Sequence, residues 1–147
     1  MAPLLHLPFF DLDTLTEERS GKKVAAMFEE DGEAAFRMLE HDCLADIVSR
    51  EKQMLLACGG GTPCFFDNLQ LMKEAGRVVF LNPPLELILS RLGAGGGSIS
   101  RPLLAGGDTK EKLQKLFEER FPFYSAATME YRGSDERELA GLLKEMP

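Results

Sequence analysis

The stretch that decides the fold is LLACGGGTPC, residues 55–64, in which a short apolar run leads directly into three glycines. The run belongs to a candidate strand, QMLLAC at 53–58, and its lack of polar alternation is typical of a strand covered on both faces. Comparable runs are PFFDL near residue 9 and RVVFLN at 77–82, and ATMEYR at 127–132 is a fourth candidate. Helical patterns separate these runs, so the sequence predicts an α/β domain with a mostly parallel sheet.

The clearest helical pattern runs from Glu33 to about Arg50, where apolar side chains recur every three or four residues and form one buried stripe. Further helices are predicted at 68–74, 84–92, 110–124 and 135–146. The segment GAGGGSISRPLLAGGD, residues 93–108, has the glycine-rich composition of a flap or lid. We expect the 147 residues to form a single domain.

Composition narrows the classes of partner. The chain carries 17 basic and 24 acidic residues, a formal charge of -7, which disfavours nucleic acid and anionic membranes. Three cysteines without CxxC spacing and only two histidines predict reduced thiols rather than a disulfide framework or a zinc site. We expect no signal peptide, because MAPLLHLPFF lacks a basic leading region and a small-residue cleavage site. We also expect no membrane span, because no apolar run approaches about 18 residues.

Glycines 59–61 follow a predicted strand, at the edge of the sheet where α/β proteins bind ligands. Glycine lets the backbone approach a ligand closely and present its N–H groups to an oxyanion or hydroxyl. The alternative is a loop that only needs positive φ. A second strand end, LPFFDLD at 7–13, carries Asp11 and Asp13, which would share one face if both lay in the strand.

Three arginines are candidates for anion binding. Arg37 has Glu33 four residues before it and Glu40 three after it, a pattern that also fits an ordinary surface ion-pair ladder. Arg101 lies in the glycine-rich segment, and Arg120 precedes FPFY. Forked arginines around a glycine-rich strand end suit a small carboxylate and a transferring phosphate, so the set indicates phosphoryl transfer.

Six motifs follow one another from Leu7 to the last helix: LPFFDLD, GEAAFRMLE, LLACGGGTPC, RVVFLN, RPLL and RFPFY. In this order and at these intervals they resemble shikimate kinases, in the nucleoside-monophosphate-kinase-like branch of P-loop kinases. The resemblance implies a three-layer α/β/α fold and a cytoplasmic, monomeric enzyme of aromatic amino-acid biosynthesis. It also implies ATP-dependent phosphorylation of shikimate to shikimate 3-phosphate, with Mg²⁺ as cofactor.

The resemblance implies a role for each candidate on the acceptor side. Asp13 would bind a shikimate hydroxyl and act as general base, and Arg37 and Arg120 would clamp the shikimate carboxylate. Gly60 would contact shikimate, with Gly59 and Gly61 beside it.

On the nucleotide side, the resemblance implies that Asp11 helps hold Mg²⁺ through water. Arg101 would reach the ATP phosphates from the lid and take part in catalysis. On the acceptor side, Glu40 would orient Arg37.

The family's phosphate-binding loop, GxxxxGK[ST], does not occur in these 147 residues. In the family the strand before that loop lies in the middle of a five-stranded sheet, and the strand, loop and following helix amount to about 25 residues. We therefore expect an N-terminally incomplete chain with two strand pairs on either side of a missing central strand, in which ATP turnover is largely lost. The residues before LPFF would be the end of the missing helix.

Two alternatives stay open at this point. One is a non-catalytic remnant that keeps the shikimate pocket but does not bind ATP. The other is a related small-molecule kinase such as a gluconate kinase, against which the paired arginines, GGG and RPLL argue.

Overall fold

The computed structural model describes residues 1–94 and 108–147, and within them the predicted alternation of strands and helices is confirmed. The elements, in chain order, are α1 (Ala2–Leu5), β1 (Phe9–Asp11), α2 (Leu12–Ser20), α3 (Val24–Glu30), α4 (Glu33–Arg50), β2 (Leu55–Ala57), a 3-10 turn (Thr62–Cys64), α5 (Asn68–Ala75), β3 (Val79–Leu81), α6 (Leu85–Ala94), α7 (Thr109–Tyr124), β4 (Met129–Tyr131) and α8 (Glu136–Glu145). Most of the segment predicted as a lid, 93–108, lies outside the described residues.

The four strands form two separate parallel pairs. In one pair Phe9 of β1 lies opposite Leu55 of β2. In the other Val79 of β3 lies opposite Met129 of β4. Among the described residues the two pairs are not hydrogen-bonded to each other. The α/β class, the parallel strands and the division into two pairs agree with the prediction from the sequence.

In the part of the chain that the structure describes, each strand is hydrogen-bonded to its partner along one edge only, so its other edge faces away from the pair. The Leu55 N–H donates to the Pro8 carbonyl at 2.8 Å, so the backbone of the next residue, Leu56, points away from β1. In the second pair the Asn82 N–H donates to the Tyr131 carbonyl at 2.8 Å, so the backbone of Leu81 points away from β4. β2 and β3 therefore each present an unpaired backbone edge within the described part of the chain.

The core of the first half lies between α2, α4 and β2. Leu12, Cys43 and Leu44 are buried together there, and Leu56 and Met72 pack against them. The apolar stripe predicted on α4 is confirmed, but the same buried face also carries a charged pair, Arg37 and Glu40. Because burying an isolated charge costs free energy, two charged side chains in one buried helix stripe indicate that they pair with each other or with a ligand.

The strand interpretation of Asp13 is wrong, because β1 ends at Asp11 and α2 begins at the next residue. Asp11 is the N-cap of α2: its Oδ1 accepts from the N–H groups of Asp13 at 2.9 Å and Thr14 at 3.3 Å. A cap of this kind stabilises a helix by about 1 kcal/mol. Asp13 therefore lies in the first turn of α2. Its backbone N–H is capped by the Asp11 carboxylate, and the two side chains do not share one face of a strand.

Cys43, Cys58 and Cys64 are all free thiols in the structure. No helix within 1–94 or 108–147 has the length and apolarity that crossing a bilayer requires.

Candidate active site

Arg37 is the best-defined charged group of the site. It projects from α4 and is only 5% exposed. Its Nη1 donates to Glu40 Oε2 at 3.0 Å, and its Nε and Nη2 donate to Glu33 Oε1 at 3.4 and 3.3 Å. Both acids thus flank the guanidinium as the spacing predicts, but burial excludes the ordinary surface ladder.

Aromatic rings fix the plane of the same guanidinium. The Arg37 Cζ lies 4.4 Å from the ring centroid of Phe65, 5.1 Å from that of Phe36 and 5.9 Å from that of Phe28. Cation–π contacts within about 6 Å favour a charged group over the ring face and exclude water from it. Arg37 is therefore held before any ligand arrives, as recognition of a carboxylate requires.

The glycine turn brings Arg37 and Arg120 to one place. A Cβ on Gly60 would lie 3.4 Å from Arg120 Nη1 and 2.9 Å from the Tyr124 hydroxyl. A Cβ on Gly61 would lie 2.7 Å from the Cζ and Nη1 atoms of Arg37. The two arginines thus lie against neighbouring residues of the turn, and glycine is required there because side chains approach the backbone closely.

The alternative of a loop that merely needs positive φ is wrong for this triplet. Gly61 has φ -84° and ψ -22°, an ordinary right-handed conformation. The positive-φ glycines of the described chain are Gly21 and Gly32, both outside the turn. The triplet is needed for space, since a Cβ at its second or third position would collide with the site.

Tyr124 anchors α7 to the turn and was missed as a site residue by the sequence analysis. Its hydroxyl donates to the Gly60 carbonyl at 2.7 Å. Burial raises the pKa of Tyr124, and the neighbouring Arg120 opposes that rise, so the phenol stays a neutral donor. The signal was present in RFPFY, because Tyr124 follows Arg120 by four residues and lies on the same helical face.

Asp13 lies beside the turn, with its Oδ1 3.9 Å from where a Cβ on Gly59 would be. Burial raises the pKa of its carboxyl above the usual range, as do the charges of Asp11, Glu40 and Glu17, and Arg37 opposes them. A raised pKa makes the Asp13 carboxylate a stronger proton acceptor than an ordinary exposed aspartate.

Asp11 has one carboxylate oxygen committed to the helix cap, which leaves Oδ2 as its available ligand atom. Among the described residues no group of three His, Cys, Asp or Glu side chains could hold a metal. Mg²⁺ is commonly held by one or two carboxylates together with waters and substrate phosphates. Asp11 fits a water-mediated contact of this kind, and Arg101 falls outside the described residues.

Comparisons with known proteins are consistent with one another. The family model described as shikimate kinase matches residues 1–145. The shikimate kinase of Bacteroides fragilis is 40% identical over 134 residues, which are 89% of this chain and 73% of the relative. That of Aquifex aeolicus is 36% identical over 129 residues, covering 88% of this chain and 73% of the relative.

Two solved structures have the same fold. The crystal structure of shikimate kinase from Bacteroides thetaiotaomicron has a TM-score of 0.85 and 34% identity, covering 97% of this chain and 87% of the other. Shikimate kinase from Acinetobacter baumannii in complex with shikimate has a TM-score of 0.86 and 33% identity, covering 98% of this chain and 80% of the other.

Proposed function

The chain belongs to the shikimate kinase family of phosphotransferases, and on this premise we propose that the glycine turn binds shikimate for phosphorylation by ATP. The product would be shikimate 3-phosphate, in aromatic amino-acid biosynthesis. The proposal also takes residues 1–147 as one domain of a cytoplasmic monomer, with 93–108 as its lid. A relative's structure in complex with shikimate supports the choice of acceptor.

The observation that carries the proposal is the convergence of two arginines and a carboxylate on one turn. Arg37 is buried against Gly61 and preorganised by two acids and three rings, and Arg120 lies against the neighbouring Gly60. A planar carboxylate between two guanidinium groups would form charge-assisted hydrogen bonds with both. Asp13 lies beside the same turn, where a hydroxyl of the bound acceptor could reach it.

In the proposed reaction, Asp13 accepts the proton of the shikimate hydroxyl while the hydroxyl oxygen of shikimate bonds to the γ-phosphorus of ATP. The bond from that phosphorus to the β,γ-bridging oxygen breaks, and ADP leaves. Arg37 and Arg120 hold the acceptor so that its hydroxyl is positioned in line, which is the main contribution a protein makes to phosphoryl transfer. Mg²⁺, held through water by Asp11, would neutralise phosphate charge, and Arg101 would approach the phosphates.

A second candidate function is acceptor binding without turnover. Two observations favour it: the 147 residues contain no GxxxxGK[ST] motif, and β2 and β3 each have an unpaired edge among the described residues. Backbone N–H groups of such a loop normally cradle the β- and γ-phosphates. The acceptor half of the site does not depend on that motif.

One titration series separates the two functions. The purified 147-residue chain is titrated by calorimetry with shikimate and separately with Mg-ATP, alongside a coupled assay for ADP release. Binding of both ligands with turnover supports the kinase, and binding of shikimate alone supports the second candidate. If shikimate does not bind, both are wrong.

A further inference from the structure

A chain of buried hydrogen bonds continues behind Arg37 to residues that the proposed reaction does not use. Glu40 accepts from Arg37 at Oε2 and from the Thr62 hydroxyl at Oε1, the latter at 2.7 Å. The Thr62 carbonyl accepts from Asn68 Nδ2 at 2.9 Å. The Asn68 Oδ1 lies 2.6 Å from Nδ1 of His41.

The members next to Arg37 are completely enclosed. Glu40 is 1% exposed, and Thr62 and Asn68 are both 0% exposed. A buried carboxylate keeps a single orientation only where both of its oxygens accept hydrogen bonds, and the loss of one donor leaves one oxygen unsatisfied. The Thr62 hydroxyl therefore fixes the carboxylate that in turn fixes Arg37.

Thr62 is also the residue that leaves the glycine turn. Its own N–H donates to the Gly59 carbonyl at 3.1 Å, which closes the turn. The hydrogen bond from its hydroxyl to Glu40 thus ties the turn to α4, so the turn and Arg37 keep a constant relation.

Asn68 holds Thr62 from the other side. It is the first residue of α5, and its amide nitrogen reaches back to the Thr62 carbonyl. The amide orientation is assigned from this network: because Asn68 Oδ1 can only accept, the His41 Nδ1 must carry the proton. Asp67 Oδ1 lies 3.7 Å from the same Nδ1, and the His41 ring packs against Phe66.

We infer that Thr62 and Asn68 are positioning residues for the acceptor arginine, acting through Glu40. Their role is to hold the Arg37 guanidinium at one angle to the glycine turn. What they position it for, a shikimate carboxylate, rests on the proposed function. The positioning itself does not.

The first test compares two buried threonines. Thr62→Val keeps the shape and removes the hydroxyl, and Thr62→Ser restores the hydroxyl. The matched control is Thr16→Val, because Thr16 is also 0% exposed and its hydroxyl donates to the Leu12 carbonyl at 2.7 Å, outside the network. Each variant is measured for shikimate affinity by calorimetry and for Tm.

Thr62→Val should weaken shikimate binding by about tenfold, Thr62→Ser by no more than about twofold. Thr16→Val should lower Tm to a similar extent as Thr62→Val and leave shikimate affinity within about twofold. Equal loss of affinity in both valine variants would show a merely structural role and overturn the inference.

A readout without ligand separates this inference from the proposed function. Hydrogen exchange of the Arg37 guanidinium protons is followed by ¹⁵N NMR, with Arg37→Lys identifying the signals. Faster exchange in Thr62→Val, with wild-type exchange in Thr16→Val, supports positioning even if shikimate never binds. Unchanged exchange in Thr62→Val overturns it whatever the affinity for shikimate.

If Thr62→Val fails to fold, Asn68→Asp replaces it. Aspartate keeps an acceptor for the His41 Nδ1–H but cannot donate to the Thr62 carbonyl. The same acceleration of Arg37 exchange is expected, and its absence would contradict the inference.

Discussion

Gly61→Ala tests how closely the acceptor arginine packs on the glycine turn. The backbone at Gly61, φ -84° and ψ -22°, is open to any residue, so the substitution imposes no conformational strain. The new Cβ would lie 2.7 Å from both Cζ and Nη1 of Arg37 and still closer to Nη2. The effect of the variant is therefore a displacement of the guanidinium.

The size of that displacement follows from ordinary contact distances. Carbon and nitrogen atoms in contact are rarely closer than 3.4 Å, so Cζ and Nη1 must each move by about 0.7 Å and Nη2 must move further. A shift of that size breaks or lengthens its 3.0 Å hydrogen bond to Glu40. A displaced guanidinium no longer aligns with the shikimate carboxylate. Loss of one such charge-assisted contact costs about 1.5–3 kcal/mol, or about 10- to 100-fold in affinity for shikimate.

The assay is a calorimetric titration of the Gly61→Ala variant with shikimate. Gly141→Ala is the control for the exchange itself, because a Cβ there meets nothing within 4 Å. Gly59→Ala compares a neighbouring position of the turn, where the nearest atom would be 3.6 Å away, and should weaken binding less. Wild-type affinity in Gly61→Ala would refute the packing argument.

Three further predictions concern the charged groups. Arg37→Ala and Arg120→Ala should each weaken shikimate binding by about 10- to 100-fold in calorimetry; unchanged affinity in either would contradict the carboxylate clamp. Asp13→Asn should raise the free energy of unfolding at pH 7 by up to about 1 kcal/mol. Because the pKa of Asp13 is raised in the folded state, its ionisation costs stability once the pH rises above the ordinary pKa of 3.8. The stability gained by Asp13→Asn should therefore vanish at lower pH in denaturation experiments. A gain that persists at low pH would exclude ionisation of Asp13 as its cause. Where turnover is measured, Arg101→Ala should lower kcat far more than it weakens shikimate binding; equal effects would contradict a role at the phosphates.

The strands and most helices could be predicted because their signals are local. The apolar run at 53–58 contains β2, and the apolar periodicity from Glu33 to Arg50 matches the bounds of α4. The division into two strand pairs was also predictable, from the family's strand order and the lack of one motif. These features depend on neighbouring residues or on the order of motifs.

Features that depend on contacts across the chain were missed. α2 buries only Leu12 and Thr16, so it has no apolar stripe to reveal it. The hydroxyl of Thr62 meets Glu40 across 22 residues of sequence, a separation at which spacing carries no information. Strand alternation also fits DLD, and only the cap made by Asp11 decides for a helix at Asp13.

Tyr124 has a position whose effect extends to the whole fold. Its ring stacks on Phe80 of β3 with centroids 4.8 Å apart, and its hydroxyl bonds to Gly60, which follows β2. One side chain thus joins the two strand pairs, and an acceptor held by Arg37 and Arg120 would add a second brace across the same joint. Occupancy of the site would then determine whether the two halves melt separately or in one cooperative transition, through ordinary thermodynamic linkage.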